Sequence, residues 1–202
     1  MRTILQVEIA SAADDAIAAA RVVAEVAHEL APSRDHFGSV ADAEIEVLRR
    51  TGLLHAPLPA DLGGSGLGMH AESSIALRNV LRIIGGASLS LGRLYEGHVN
   101  AIRLVHRYGG HKQLQLIGTE SDCGRLSAVW NAQDGSGLTL SGGVLSGSKI
   151  YTSGIGIVRR PVLTAARADG LVMVIPDVIA ARVDLSAWTP LGMRGSMTGR
   201  AD

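Results

Sequence analysis

The sequence has one cysteine, Cys123, and only 3% aromatic residues. A single cysteine excludes an internal disulfide and any multi-cysteine metal cluster. With so few aromatic rings, the core has to be filled by Ala, Val, Leu and Ile. Neither sign of charge prevails, since 19 Lys and Arg balance 19 Asp and Glu. No basic arm or stripe stands out, which argues against a nucleic-acid partner. No apolar run approaches the roughly 18 residues of a membrane span. The first ten residues carry Arg2 and Glu8 within a short apolar run and make a poor export signal. A cytoplasmic protein without membrane association is therefore expected. None of the seven histidines forms a His-x-x-x-His pair with a carboxylate beside it, so no metal site is expected either.

What is present is ordinary for a globular chain: 47% hydrophobic and 19% charged residues over 202 positions. That length suits one large domain or two small ones and can bury roughly 70% of the unfolded surface. The pattern changes near residue 125. Before it, apolar residues recur at helical spacing. After it, short apolar runs alternate with Gly, Ser and Asp. The expected division is 1–124, helical, and 125–202, strand-rich.

In the first part, Ile17, Val22, Val23, Val26, Ala27 and Leu30 form one stripe, predicting a helix over 14–30 that stops at Pro32. A second helix is expected over 39–51, capped by Ser39, with Val40, Ile45, Val47 and Leu48 on its buried side. A third is expected over 70–84, ending at Gly85-Gly86. The longest spans 88–108, with Leu91, Leu94, Tyr95, Val99, Ile102 and Val105 facing inward. Gly92 and Gly97 each cost that helix about 1 kcal/mol relative to Ala, which suggests close approach of a neighbouring helix or of a ligand. His98 lies in its middle, either in a hydrogen-bonded core cluster or as a functional polar group. A short helix over 112–117 follows. The loop Gly63-Gly64-Ser65-Gly66-Leu67-Gly68 lacks the Gly-Lys-Ser/Thr ending of a phosphate loop and reads as a tight interhelical turn.

In the second part, strands are expected over 126–130, 137–140, 144–153, 161–166, 171–175 and 183–188, with a bend at Gly147 and a hairpin turn at 167–170. The continuous apolar runs at 161–166 and 171–175 read as well-buried strands. No strand is expected at the end of the sequence. Short antiparallel strands at this spacing fit a small barrel or sandwich. The stretch Leu145-Ser146-Gly147-Ser148-Lys149-Ile150-Tyr151-Thr152-Ser153-Gly154 brings a flat aromatic ring, two hydroxyls and a flexible glycine to one strand end. That set suits a planar, hydrogen-bonding ring such as a flavin, or is simply a strand with a polar end.

Taken together, four segments resemble the acyl-CoA dehydrogenase family of flavoproteins, in the family's order. They are Leu48-Arg49-Arg50-Thr51-Gly52-Leu53 with the Pro57–Gly66 loop, Arg107-Tyr108-Gly109-Gly110-His111-Lys112-Gln113, the strand over 145–154, and Gly192-Met193-Arg194-Gly195-Ser196-Met197-Thr198-Gly199. The resemblance implies an α+β fold, with an N-terminal helical domain followed by an incomplete antiparallel β-barrel or sandwich. It implies FAD as cofactor and α,β-dehydrogenation of an acyl thioester such as an acyl-CoA. A flavin-dependent monooxygenase of the same fold, or a non-catalytic subunit pairing with a longer homologue, is the alternative.

By the same resemblance, Tyr151 falls where the family has an aromatic residue beside the flavin. Ser153 falls where a hydroxyl bonds the flavin ring. Thr152, Trp130 and Asn131 join them as cofactor residues, and Tyr95 and Glu96 fall on the helix that floors the acyl pocket. Two departures matter. Asp134-Gly135-Ser136-Gly137 is a shortened loop, which puts the usual acyl-CoA contacts in doubt. No segment matches the family's C-terminal four-helix domain, which carries the catalytic carboxylate and the main subunit contacts. The chain is therefore expected to act as a front half, silent alone, and to pair with itself or with a complementing chain.

Overall fold

The computed structural model describes the chain except for residues 1, 40, 136 and 187, and describes the side chains from residue 11 onward. Val40 and Ser136, both named above, lie outside the described residues. Among the described residues five α-helices come first: α1 (Arg2–Phe37), α2 (Asp42–Arg50), α3 (Ala71–Ala87), α4 (Leu89–Tyr108) and α5 (His111–Asp122). Eight short strands follow: β1 (Val129–Trp130), β2 (Thr139–Ser141), β3 (Val144–Ser146), β4 (Lys149–Thr152), β5 (Val162–Arg167), β6 (Gly170–Val174), β7 (Val183–Asp184) and β8 (Gly199–Ala201). The switch from helices to strands falls where the composition changes. The α+β architecture is the one expected.

α4 forms for the reasons its pattern gives. Ser88 caps it by accepting a hydrogen bond from the Leu91 N–H, and all six residues of the expected stripe are buried. Its 20 residues make a rod of about 30 Å. A Cβ at Gly92 would sit 2.7 Å from the Gly85 Cα, so the glycine lets α3 and α4 touch backbone to backbone. That contact also explains why α3 runs through Gly85-Gly86 to Ala87 instead of stopping there: packing holds residues whose own helix propensity is poor.

α1 differs from expectation in the same sense, since it continues through Pro32 to Phe37. An internal proline costs a helix roughly 3 kcal/mol. The turn beyond it is anchored by tertiary bonds. Arg34 donates from Nε and Nη2 to the Glu44 carboxylate, each at 3.0 Å, and the Asp35 Oδ1 accepts from the Arg194 backbone N–H at 2.8 Å. The buried face of α1 is Ala16, Ala20, Val23 and Ala27, while Val22 points outward. Ser39 does not cap α2. The helix starts at Asp42 after Ala41, without a side-chain cap, and the Ser39 hydroxyl instead accepts from Arg34.

The strands form two sheets, one in the order β1-β5-β2-β3 with β6 also on β5, the other β4-β8-β7. Most pairs are antiparallel, as expected, but β5 runs parallel to both β1 and β2. The bend at Gly147 is real. Its φ is +117°, and it parts β3 from β4, which then joins the other sheet. β6 is not the well-buried strand its apolar run suggests: Leu171 is 75% exposed. Residues 199–201 form β8 at the centre of the second sheet, where no strand was expected. Its own three residues carry little strand signal, and its pairing with β4 and β7 creates it. One buried apolar cluster runs from Ala16 of α1 through Leu94 of α4 to Trp130, Leu163 and Ala201 of the strands. The helices and sheets thus share a core.

Candidate functional site

The end of β4 is where chain strain and polar side chains meet. Tyr151 has φ +54°, a left-handed conformation that costs a side-chain-bearing residue roughly 1–2 kcal/mol. The register between β4 and β8 slips between Ile150 and Thr152, so Tyr151 is bulged out of the ladder. The residue stands 63% exposed. Thr152 faces the other way, wholly buried, its hydroxyl donating to the Gly199 carbonyl at 2.9 Å. Ser153, two residues on and just past the strand, is buried at 7% exposure.

The turn beyond β4 is fastened to the loop over 193–198. Gly154 N–H donates to Ser196 O at 2.9 Å, and Ile155 N–H to Met197 O at 3.0 Å. That loop carries Met193 and Met197 at φ +65° and +45° around a short 3-10 turn, Arg194–Ser196. Three hydroxyls line up across the junction. Thr198 Oγ1 donates to Ser153 Oγ at 2.9 Å, and Ser196 Oγ lies 2.9 Å from Thr198 Oγ1 and 2.7 Å from Met193 O. Ser196 and Thr198, which build this cluster with Ser153, are 43 and 45 residues away from it in the sequence. A Ser-x-Thr pair flanked by glycines was the available signal.

Trp130, at the end of β1, is buried, and its indole Nε1 donates to the Ser153 carbonyl at 2.8 Å. Asn131 is exposed beside it, and its Oδ1 accepts from both the backbone N–H and the hydroxyl of Thr164 at 3.0 Å. Lys149, at the start of β4, is almost fully buried. Burial lowers its pKa, and its Nζ has the Asn131 carbonyl at 3.5 Å and the Thr164 hydroxyl at 3.4 Å. Trp130 is therefore joined to Ser153, two residues beyond Tyr151, whereas Asn131 is bonded to Thr164 and lies by Lys149 at the start of β4.

The two helix residues are placed apart. Tyr95 is fully buried, and its hydroxyl donates to the Leu53 carbonyl at 2.9 Å. Burial raises its pKa. Glu96 is half-exposed, bound to Arg93 at 2.6 Å and to the Asn100 amide. It is Leu94 of the same helix that reaches the strand end, where a Cβ on Gly154 would meet its side chain at 3.3 Å. His98 resolves as a core group. Its Nε2 bonds the Leu54 carbonyl at 2.9 Å while Nδ1 accepts from the Ser127 N–H at 3.0 Å. That pair of partners fixes the neutral Nε2–H tautomer, and desolvation pushes its pKa down to about 4.

Among the described residues no group of His, Cys, Asp or Glu is placed to hold a metal ion, and no helix is long and apolar enough to cross a membrane. The glycine loop after α2 is a tight turn around Ala60–Leu62. An added Cβ at Gly64 would fall 1.9 Å from the Leu58 carbonyl oxygen, so that glycine serves the turn itself.

No family model matches the chain. It is similar to the dibenzothiophene monooxygenase of Rhodococcus qingshengii, 28% identical over 212 aligned positions, which cover 95% of this chain and 49% of that protein. In structure it is similar to FMN-bound TdsC of Paenibacillus sp. A11-2, with a TM-score of 0.76 at 21% identity over 92% of this chain and 50% of that one. It is also similar to the methanesulfinate monooxygenase MsuC of Pseudomonas fluorescens, with a TM-score of 0.71 at 21% identity over 92% and 49%. The chain spans about half the length of the curated relatives it matches. Its helical region and two curled sheets have the acyl-CoA dehydrogenase-like fold of these proteins.

Proposed function

We propose that this chain contributes one face and one edge of a flavin-ring site in an oxygenase of the acyl-CoA dehydrogenase fold. The observation that carries the reading is Tyr151. A non-glycine residue held left-handed in a bulge and 63% exposed is strain kept at a strand end, where such strain commonly serves a site. A flat ring can stack on that aromatic face and take a hydrogen bond at its rim from the adjacent hydroxyl. The residues present fit that demand: Tyr151 as the face, Ser153 as the rim donor, Trp130 holding the Ser153 carbonyl, and Asn131 at the margin. Thr152 and Tyr95 have both spent their hydroxyls inside the protein, on the Gly199 and Leu53 carbonyls, and offer none to a ligand. Glu96 lies on the same helix as Leu94 and faces away into its own ion pair.

A bound flavin supplies two-electron chemistry with oxygen, so that one atom of O2 enters the substrate and the other leaves as water, the electrons coming from the reduced flavin. The oxygenase reading is preferred to acyl thioester dehydrogenation because the relative aligned over 95% of the chain is, by its name, a monooxygenase. The substrate class that goes with it is a planar, apolar, sulfur-bearing ring. The isoalloxazine ring is common to FMN and FAD, and the FMN of TdsC favours the smaller cofactor. The division at residues 124/125 is kept as the proposed domain boundary. The rest of the site is to come from a polypeptide equivalent to the other half of the relatives, in this or an associated chain.

A half-site binds weakly, so the test must detect millimolar contact. FMN titrated into the isotopically labelled chain should shift the backbone amide signals of Tyr151 and Ser153 and leave that of Glu96 in place. Tyr151→Ala should remove the shifts. A titration that moves neither amide rejects the flavin reading.

A further inference from the structure

The hydroxyl cluster behind Ser153 has a direction. Each hydroxyl carries a single proton. Thr198 spends its proton on Ser153 at 2.9 Å. The contact between Ser196 and Thr198 at 2.9 Å is then a hydrogen bond only when Ser196 is the donor. Ser196 divides its proton between Thr198 and the Met193 carbonyl. Ser153 accepts from Thr198, and among the described residues nothing accepts from Ser153. Its proton is the one left for a group outside the cluster. Burial runs the same way, with exposure of 1% at Ser196, 3% at Thr198 and 7% at Ser153. The chain of hydroxyls starts in the interior and opens at the strand end.

We propose that Thr198, backed by Ser196, is a positioning residue that turns the Ser153 hydroxyl into a directed hydrogen-bond donor toward an acceptor atom, a carbonyl oxygen or imine nitrogen, on the edge of a planar ring lying at Tyr151. This rests on the flavin-site reading above. Thr198 acts in two ways. It occupies the Ser153 lone pair that faces inward, so the hydroxyl proton rotates away from the loop. It also polarises the Ser153 O–H, because hydrogen bonds in series strengthen one another in a poorly solvated place. The fold secures the arrangement through the backbone bonds from Gly154 to Ser196 and from Ile155 to Met197, which lock the strand end to the loop that bears both donors. The left-handed backbone at Met193 and Met197 curls that loop so that Ser196 and Thr198 face the same side.

The test is the FMN titration on variants of the chain. Thr198→Val keeps the shape and removes the donor. It should weaken FMN binding about 5-fold, the effect of one neutral hydrogen bond. Thr198→Ser should restore it. Ser196→Ala, which adds no bulk, should weaken binding in the same direction and by less. In a Ser153→Ala background, Thr198→Val should have no further effect. If Thr198→Val binds as the unchanged chain does, or weakens the Ser153→Ala variant equally, the positioning role is overturned and the flavin reading stands. If the unchanged chain shows no shift with FMN, the flavin reading falls and this inference falls with it.

Discussion

The indole nitrogen of Trp130 donates to the backbone carbonyl of Ser153 at 2.8 Å, across 23 residues of sequence and from one sheet to the other. This bond sets where the end of β4 lies relative to β1. Trp130→Phe would keep a large ring and leave the buried carbonyl without its donor. The expected loss is about 1–3 kcal/mol of stability, measured by chemical denaturation, together with weaker FMN contact at Ser153.

Tyr151 should behave in the opposite way toward stability. Glycine has no steric objection to φ +54°. Tyr151→Gly is therefore expected to be neutral or to stabilise the chain by up to about 1 kcal/mol, while abolishing the flavin-dependent amide shifts. A substitution that lost stability and kept the shifts would show that the exposed ring serves folding and not a ligand.

His98 makes stability depend on acid. Its pKa falls from 6.5 to about 4 in the folded chain because the ring is fully desolvated. The unfolded chain thus takes up the proton first as pH drops. The stabilising contribution is fully present above pH 6.5 and is lost as pH falls toward 4, with a total of roughly 3 kcal/mol from the linkage relation. Denaturation midpoints measured across that window should decline, and the His98-dependent part of the decline should vanish in His98→Gln. An equal slope in both proteins would rule out the assignment.

Gly92 and Gly86 offer a matched pair. A Cβ at Gly92 would lie 2.7 Å from the Gly85 Cα, whereas one at Gly86 meets nothing within 4 Å. Gly92→Ala should cost about 1–3 kcal/mol by forcing α3 and α4 apart. Gly86→Ala should stabilise the protein by roughly 0.5–1 kcal/mol through helix propensity. Thermal melts of the two variants should move in opposite directions.

Local chemistry alone determined much of this protein. The buried stripe of α4, from Leu91 to Val105, follows from helical spacing of apolar residues, and the break at Gly147 follows from a backbone that only glycine adopts easily. The change from helices to strands near residue 125 is written in composition. So is the polar strand end with its ring, because Tyr151 and Ser153 are neighbours along the chain. Tertiary structure decided the rest, wherever the deciding partner is distant. α1 crosses Pro32 because Glu44 and Arg194 hold the turn beyond it. Residues 199–201 become a strand because β4 and β7 flank them. Tyr151 is strained and exposed because β4 must bulge against β8. Ser153 gains its proton donor from Thr198, 45 residues away. Side-chain periodicity reports which face of an element is apolar, but not which remote group will bond it, since that depends on how the completed layers bring separate segments together.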